Sequence, residues 1–129
     1  MNPTASVMVA NSVAMEVGTN NLVIMGAFDG LQSPVYPTRT SFYAVAKVWG
    51  MPANKDSSCT LKLVDVASDK VVAEAGEHRF TPTSDQDVHT AISLFNDVDL
   101  PKSGVYEARV YANDRVIGAY PIRAHSRKS

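Results

Sequence analysis

The chain has little that would tie it together covalently or draw it electrostatically to a partner. It contains one cysteine, Cys59, in 129 residues, which excludes an intrachain disulfide and suits a reducing compartment. Charged residues are sparse at 19% and nearly balanced, with a formal net charge of −1, so no general attraction to phosphates favours nucleic acid. The clearest basic cluster is the tail, with Arg123, His125, Arg127 and Lys128, and short charged ends are usually solvated. No apolar run approaches the roughly 18 to 20 residues of a membrane helix. The opening MNPTASVMVANSVAMEVG has neither the basic n-region nor the long apolar stretch of a signal peptide. Together these absences predict a soluble cytoplasmic protein with no nucleic-acid and no membrane partner.

What is present is apolar and short in period. Hydrophobic residues make up 45% of the sequence, enough for one folded domain over residues 1–129, with flexible ends at about 1–6 and 124–129. Helical spacing is not sustained anywhere, whereas segments rich in Val, Ile, Tyr and Phe alternate at period two between turn residues. VMVANSV and LVIMGAF read as strands joined by EVGTNN, where Gly18, Asn20 and Asn21 tolerate positive φ. The segment LQSPVYPTRTS reads as an irregular crossing, because Pro34 and Pro37 lack backbone donors.

In FYAVAKVWG, Phe42, Ala44, Ala46 and Val48 share one face, opposed by Tyr43, Val45, Lys47 and Trp49; that second face is mixed rather than polar. CTLKLVDV should direct Leu61 and Leu63 inward and Thr60 and Lys62 outward, and VVAEAGEHRF and VHTAISLF read as further strands. NDVDLPKSG reads as a loop. GVYEARVY and RVIGAYPIR form a hairpin across AND, with Tyr106, Ala108 and Val110 facing the expected inward set Val116, Gly118, Tyr120 and Ile122. About seven or eight such strands predict an all-β, immunoglobulin-like antiparallel β-sandwich without the antibody-type disulfide.

VMVANSVAMEVGTNNLVIMGAFDGL, through Val9, Ala10, Asn11, Gly18, Leu22, Ile24, Gly26, Phe28 and Asp29, resembles the start of a group of small bacterial and phage-associated proteins known as a domain of unknown function. LPKSGVYEARVYANDRVIGAYPI resembles the closing hairpin of the same group. In that group the first strand ends in a cysteine or an acidic residue, where this chain has Ala10 and Asn11. The resemblance implies a β-sandwich and carries no activity.

Chemistry-bearing motifs are thin. Asp85, Asp87 and His89 would share one face of an extended segment and could ligate a divalent ion, although Asp is also a common turn former. Asp97 and Asp99 with Asp29 could hold calcium in end loops, but six or more oxygens are needed. Cys59 lacks a local base and reads as a small buried residue. GAFDG has neither the GxGxxG order nor the Gly-Lys-Ser/Thr ending of phosphate loops, so its glycines read as strand and turn geometry. The remaining candidates are binding residues: Asp29, Tyr36 in the two-proline crossing, and Tyr43, Trp49, Arg109 and Tyr111 on outer strand faces. The expectation is a non-enzymatic module, without a cofactor or metal, that binds another protein or forms a homodimer. A small-ligand or calcium-binding sandwich is the second reading and a metal-dependent hydrolase the third.

Overall fold

The computed structural model describes residues 3–19 and 21–126. Asn20 of the expected turn, and Arg127 and Lys128 of the basic tail, lie outside the described residues. The strands are β1 (Thr4–Met15), β2 (Leu22–Ala27), β3 (Gly30–Ser33), β4 (Thr38–Trp49), β5 (Ser57–Asp65), β6 (Lys70–Phe80), β7 (His89–Leu100), β8 (Gly104–Ala112) and β9 (Arg115–Ser126). They form a four-stranded sheet in the order β2-β1-β4-β7 and a five-stranded sheet in the order β3-β9-β8-β5-β6. Two sheets whose inner faces share one core are a β-sandwich.

The alternation in the sequence places the core. Phe42, Ala44, Ala46 and Val48 of β4 meet Leu61 and Leu63 of β5 and Tyr106, Ala108 and Val110 of β8 in one buried cluster. Phe42 stacks on Phe95 with ring centroids 5.2 Å apart and receives the edge of Phe28 at 5.7 Å. At Gly118 the β9 backbone approaches β1 so closely that a Cβ would collide with the Ala5 carbonyl oxygen. Tyr106 anchors the β7–β8 corner by donating its hydroxyl to the Lys102 carbonyl at 2.6 Å.

Four expectations need correction. Residues 30–33 of the supposed irregular crossing form β3, paired parallel to β9 through Gly30↔Arg123 to Ser33↔Ser126, so the sandwich has nine described strands and one parallel pairing. The expected loop NDVDL is the end of β7, paired with β4 from Thr38↔Leu100 to Thr40↔Val98. A bulge there turns Asp97 to φ 51°, and its amide donates to the Ser41 hydroxyl oxygen at 2.8 Å. Val116 points outward: register passes from Val110↔Gly118 to Tyr111↔Val116, and the extra residue, Ile117, packs on the core instead. Residues 4–6 and 124–126, expected as loose ends, are paired strand, with Thr4↔Trp49 and Leu31↔Ala124.

The hairpin between β1 and β2 turns through Gly18 at φ 92°, and Glu16 donates its amide to the Asn21 carbonyl at 2.7 Å. A straight pair would carry Leu22, opposite Met15, roughly 20 Å past Met8 at about 3.3 Å per residue. Yet Leu22 and Ile24 line one groove of about 450 Å³ with Ser6, Met8, Val45 and Lys47. The hairpin therefore bends back over the outside of its own sheet. The bend falls where the ladder skips Asn11 and Gly26: Gly26 takes φ 70°, and a Cβ there would lie 2.7 Å from Asn11 Nδ2, so only glycine fits without strain.

Candidate interaction faces

The outer face of the four-stranded sheet is apolar at its centre. Cross-strand register aligns Leu94, Tyr43, Ala10 and Ala27 in one row and Ile92, Val45 and Met8 in the next. Polar pairs close both ends. Arg39 Nε meets Asp99 Oδ1 at 3.0 Å on one side, and Lys47 Nζ donates to Thr90 Oγ1 at 2.6 Å on the other. Within this frame Val45 is buried at 4% exposure although it faces away from the core, because Leu22 and Ile24 of the folded-back hairpin lie across the same groove, and Ala10, between Ala27 and Tyr43, is buried at 0%. Leu94 and Met8 remain 48% and 40% exposed.

The centre of the outer face of the five-stranded sheet carries charge pairs. Arg109 donates from Nε to Glu107 Oε1 at 2.8 Å and from Nη1 to Asp69 Oδ1 at 3.0 Å, and its side chain is only 18% exposed. Its bonds to Tyr111 and Glu107 hold the guanidinium above its ordinary pKa, against the opposing effect of burial. Lys62 Nζ sits 4.8 Å from the centre of the Tyr111 ring, and Arg79 pairs with Glu77 at 2.6 Å. Each of these groups already has an internal partner.

The six sequence candidates thus fall in three places. Tyr43 and Trp49 lie on the outer face of the four-stranded sheet; Arg109 and Tyr111 lie on the opposite outer face of the sandwich. Asp29 borders a shallow groove with Arg123 and His125, and its carbonyl accepts the Arg123 amide at 2.8 Å. Tyr36 donates its hydroxyl to the His125 carbonyl at 2.7 Å and packs on the core, which gives it a bracing role. Sequence reasoning passed over Met8, Ile92 and Leu94. The available signal was that both faces of HTAISLF carry apolar residues.

The acidic candidates are engaged locally. Asp87 accepts the Thr83 hydroxyl and amide at 2.7 and 2.8 Å, and these bonds hold its carboxyl below the usual range. Asp97 and Asp99 belong to β7. His89 lies in β7, stacked on Phe80 at 4.0 Å and 5°. Its Nε2 is buried without a hydrogen-bond partner, and burial, then the nearby His78, lower its pKa. His78 Nε2 in turn is 2.8 Å from Ser93 Oγ. Cys59 is 1% exposed, and burial, then Glu77, raise its thiol pKa. Among the described residues no group of three or more His, Cys, Asp or Glu side chains could hold a metal ion, and no helix is long and apolar enough to cross a membrane.

No curated protein matches the chain. Residues 5–125 match a family of unknown function, DUF6941. That span runs from the second residue of β1 to the next-to-last residue of β9, and the chain therefore belongs to this family.

Proposed function

We propose that this chain is a non-enzymatic, immunoglobulin-like β-sandwich that binds another protein through the outer face of its four-stranded sheet. The observation that carries the reading is the pair of apolar rows, Leu94–Tyr43–Ala10–Ala27 and Ile92–Val45–Met8, framed by Arg39–Asp99 and Lys47–Thr90. An apolar centre inside a polar rim is the anatomy of a protein interface, and methionine and tyrosine are suited to such centres.

The strand order supports the immunoglobulin-like assignment. β9-β8-β5-β6 corresponds to the G-F-C-C′ sheet, and β1-β4-β7 to A-B-E. Tyr106 bonding back to Lys102 has the form of a tyrosine corner, with Ala108 where an antibody-type domain would carry its second cysteine. A buried lone thiol fits a cytoplasmic setting.

The test is affinity capture from the native host with three baits: the unaltered chain, Leu94→Arg and Arg109→Ala. The same protein should be retained by the first and third and lost with the second. Equal retention by all three baits would remove the face from the account.

A further inference from the structure

The sandwich has four strand edges, and three of them are guarded. β6 carries Lys70, Glu74, Glu77 and Arg79 along its length; β3 is four residues long and is followed by Pro34; β7 is bulged at Asp97 and carries Asp99. Charge, shortness, proline and bulges are the usual means by which an edge is kept from pairing. β2, with the sequence LVIMGA, has no charge and no proline.

Its open side also has hydrogen-bonding groups to offer. The Glu16 amide donates to the Asn21 carbonyl, so by two-residue alternation Val23 and Met25 turn their backbone groups toward β1. Leu22 and Ile24 then turn theirs outward. Beside them the side chains of Val23 and Met25 are 42% and 48% exposed.

We propose that the occupant of this edge is a second copy of the same chain, its β2 pairing antiparallel with β2 across a two-fold axis. Charge selects the copy as partner. Like charges set opposite one another destabilise a strand pair, and an isologous contact sets each residue type against its own surroundings. An edge such as β6 would bring Glu74 and Glu77 against their own kind, whereas β2 brings only Leu, Val, Ile, Met, Gly and Ala together. The product links the two four-stranded sheets through their folded-back β1–β2 hairpins. This contact is separate from the apolar face around Leu94, and each can fail without the other.

The experiment is sedimentation equilibrium of the full chain up to about 1 mM, where even a weak dimer is populated. It is run on the unaltered chain, Val23→Lys/Met25→Lys, Val23→Glu/Met25→Glu and Leu94→Arg. The expected result is a dimer for the unaltered chain and Leu94→Arg, monomers for the lysine and glutamate variants apart, and a heterodimer when those two are mixed. Amide exchange at Leu22 and Ile24 of the unaltered chain should slow by about tenfold or more between dilute and concentrated samples, a readout that needs no variant to fold. A monomeric unaltered chain at the highest concentration overturns the proposal and leaves the face reading intact. So does a dimer that survives in the lysine variant, or one that Leu94→Arg alone abolishes.

Discussion

The two outer faces of this sandwich arise from the same alternation and carry opposite chemistry. On the five-stranded side, Lys62, Glu107, Arg109 and Tyr111 stand outward and are joined to one another and to Asp69. On the four-stranded side, the central outward positions of β1, β4 and β7 include Met8, Tyr43, Val45, Ile92 and Leu94, and the turned-back hairpin covers part of them. Exposed residues follow the same division. Met8, Met15, Val23, Met25 and Leu94 belong to the four-stranded sheet, while the exposed large apolar residues on the strands of the other sheet are Val71, Val105 and Val116. Arginine and tyrosine on an outer face are thus a poor guide to binding once they are bonded internally, whereas a second apolar face on a strand is an informative one.

The largest expected effect separates the faces by binding. Leu94→Arg should weaken partner binding by about 30-fold or more, the cost of losing a central hot spot worth about 2 kcal/mol; calorimetry or capture against the retained protein measures it. Arg109→Ala should leave that binding unchanged.

Gly26→Val removes the bend that lays the hairpin over Val45. With φ at 70° and Asn11 Nδ2 in the space of the new Cβ, the cost should be about 2 kcal/mol in denaturant unfolding. Amide exchange should speed up across residues 12–25. Exchange in β5 and β8, on the far side of the core, should be unchanged.

Arg109→Ala has its own effect on stability. It leaves Glu107 and Asp69 without their cation, and because Asp69 is 78% exposed solvent screens much of the loss, giving about 1 kcal/mol by chemical denaturation. An equal loss of stability from Leu94→Arg would erase the contrast between a bonded face and a binding one.

The smallest effect lies at the seam where β6 and β7 bring the sheets together. The His89 pKa is lowered in the fold, so the unfolded chain takes up the proton first. The stability due to neutral His89 is therefore present above its ordinary pKa of about 6.5 and is lost as pH falls through the lower folded value. His89→Phe, which keeps an aromatic ring against Phe80, should flatten that part of the stability profile measured by thermal unfolding from neutral to mildly acid pH.

Much of the fold was legible because most strands have unlike faces. Leu61 and Leu63 against Thr60 and Lys62, or Tyr106, Ala108 and Val110 against Glu107 and Arg109, could point only one way. Features of the backbone were not legible. β3 has four residues and is recognised by its pairing with β9, not by a periodic pattern. Asn96, Asp97 and Asp99 have loop composition, yet one bulge lets the strand continue. Ile117 exchanges places with Val116 by the same device. The candidate face was legible only along β4, in Tyr43, Val45, Lys47 and Trp49, since its rows join residues from β1, β4 and β7 through a register that no local pattern encodes. LVIMGAFDG is the clearest case of a stretch whose parts have separate physical reasons. Phe28 fills the core, Gly26 makes the bend and Leu22 and Ile24 close the groove.

The central claim is that the apolar outer face of the four-stranded sheet is where this protein meets another. A photo-crosslinking residue placed at position 94 and, in a second protein, at position 62, each irradiated in the native host, tests it most directly. The expected result is a discrete protein adduct from position 94 and none from position 62. An adduct from position 62 with none from position 94 would contradict the account.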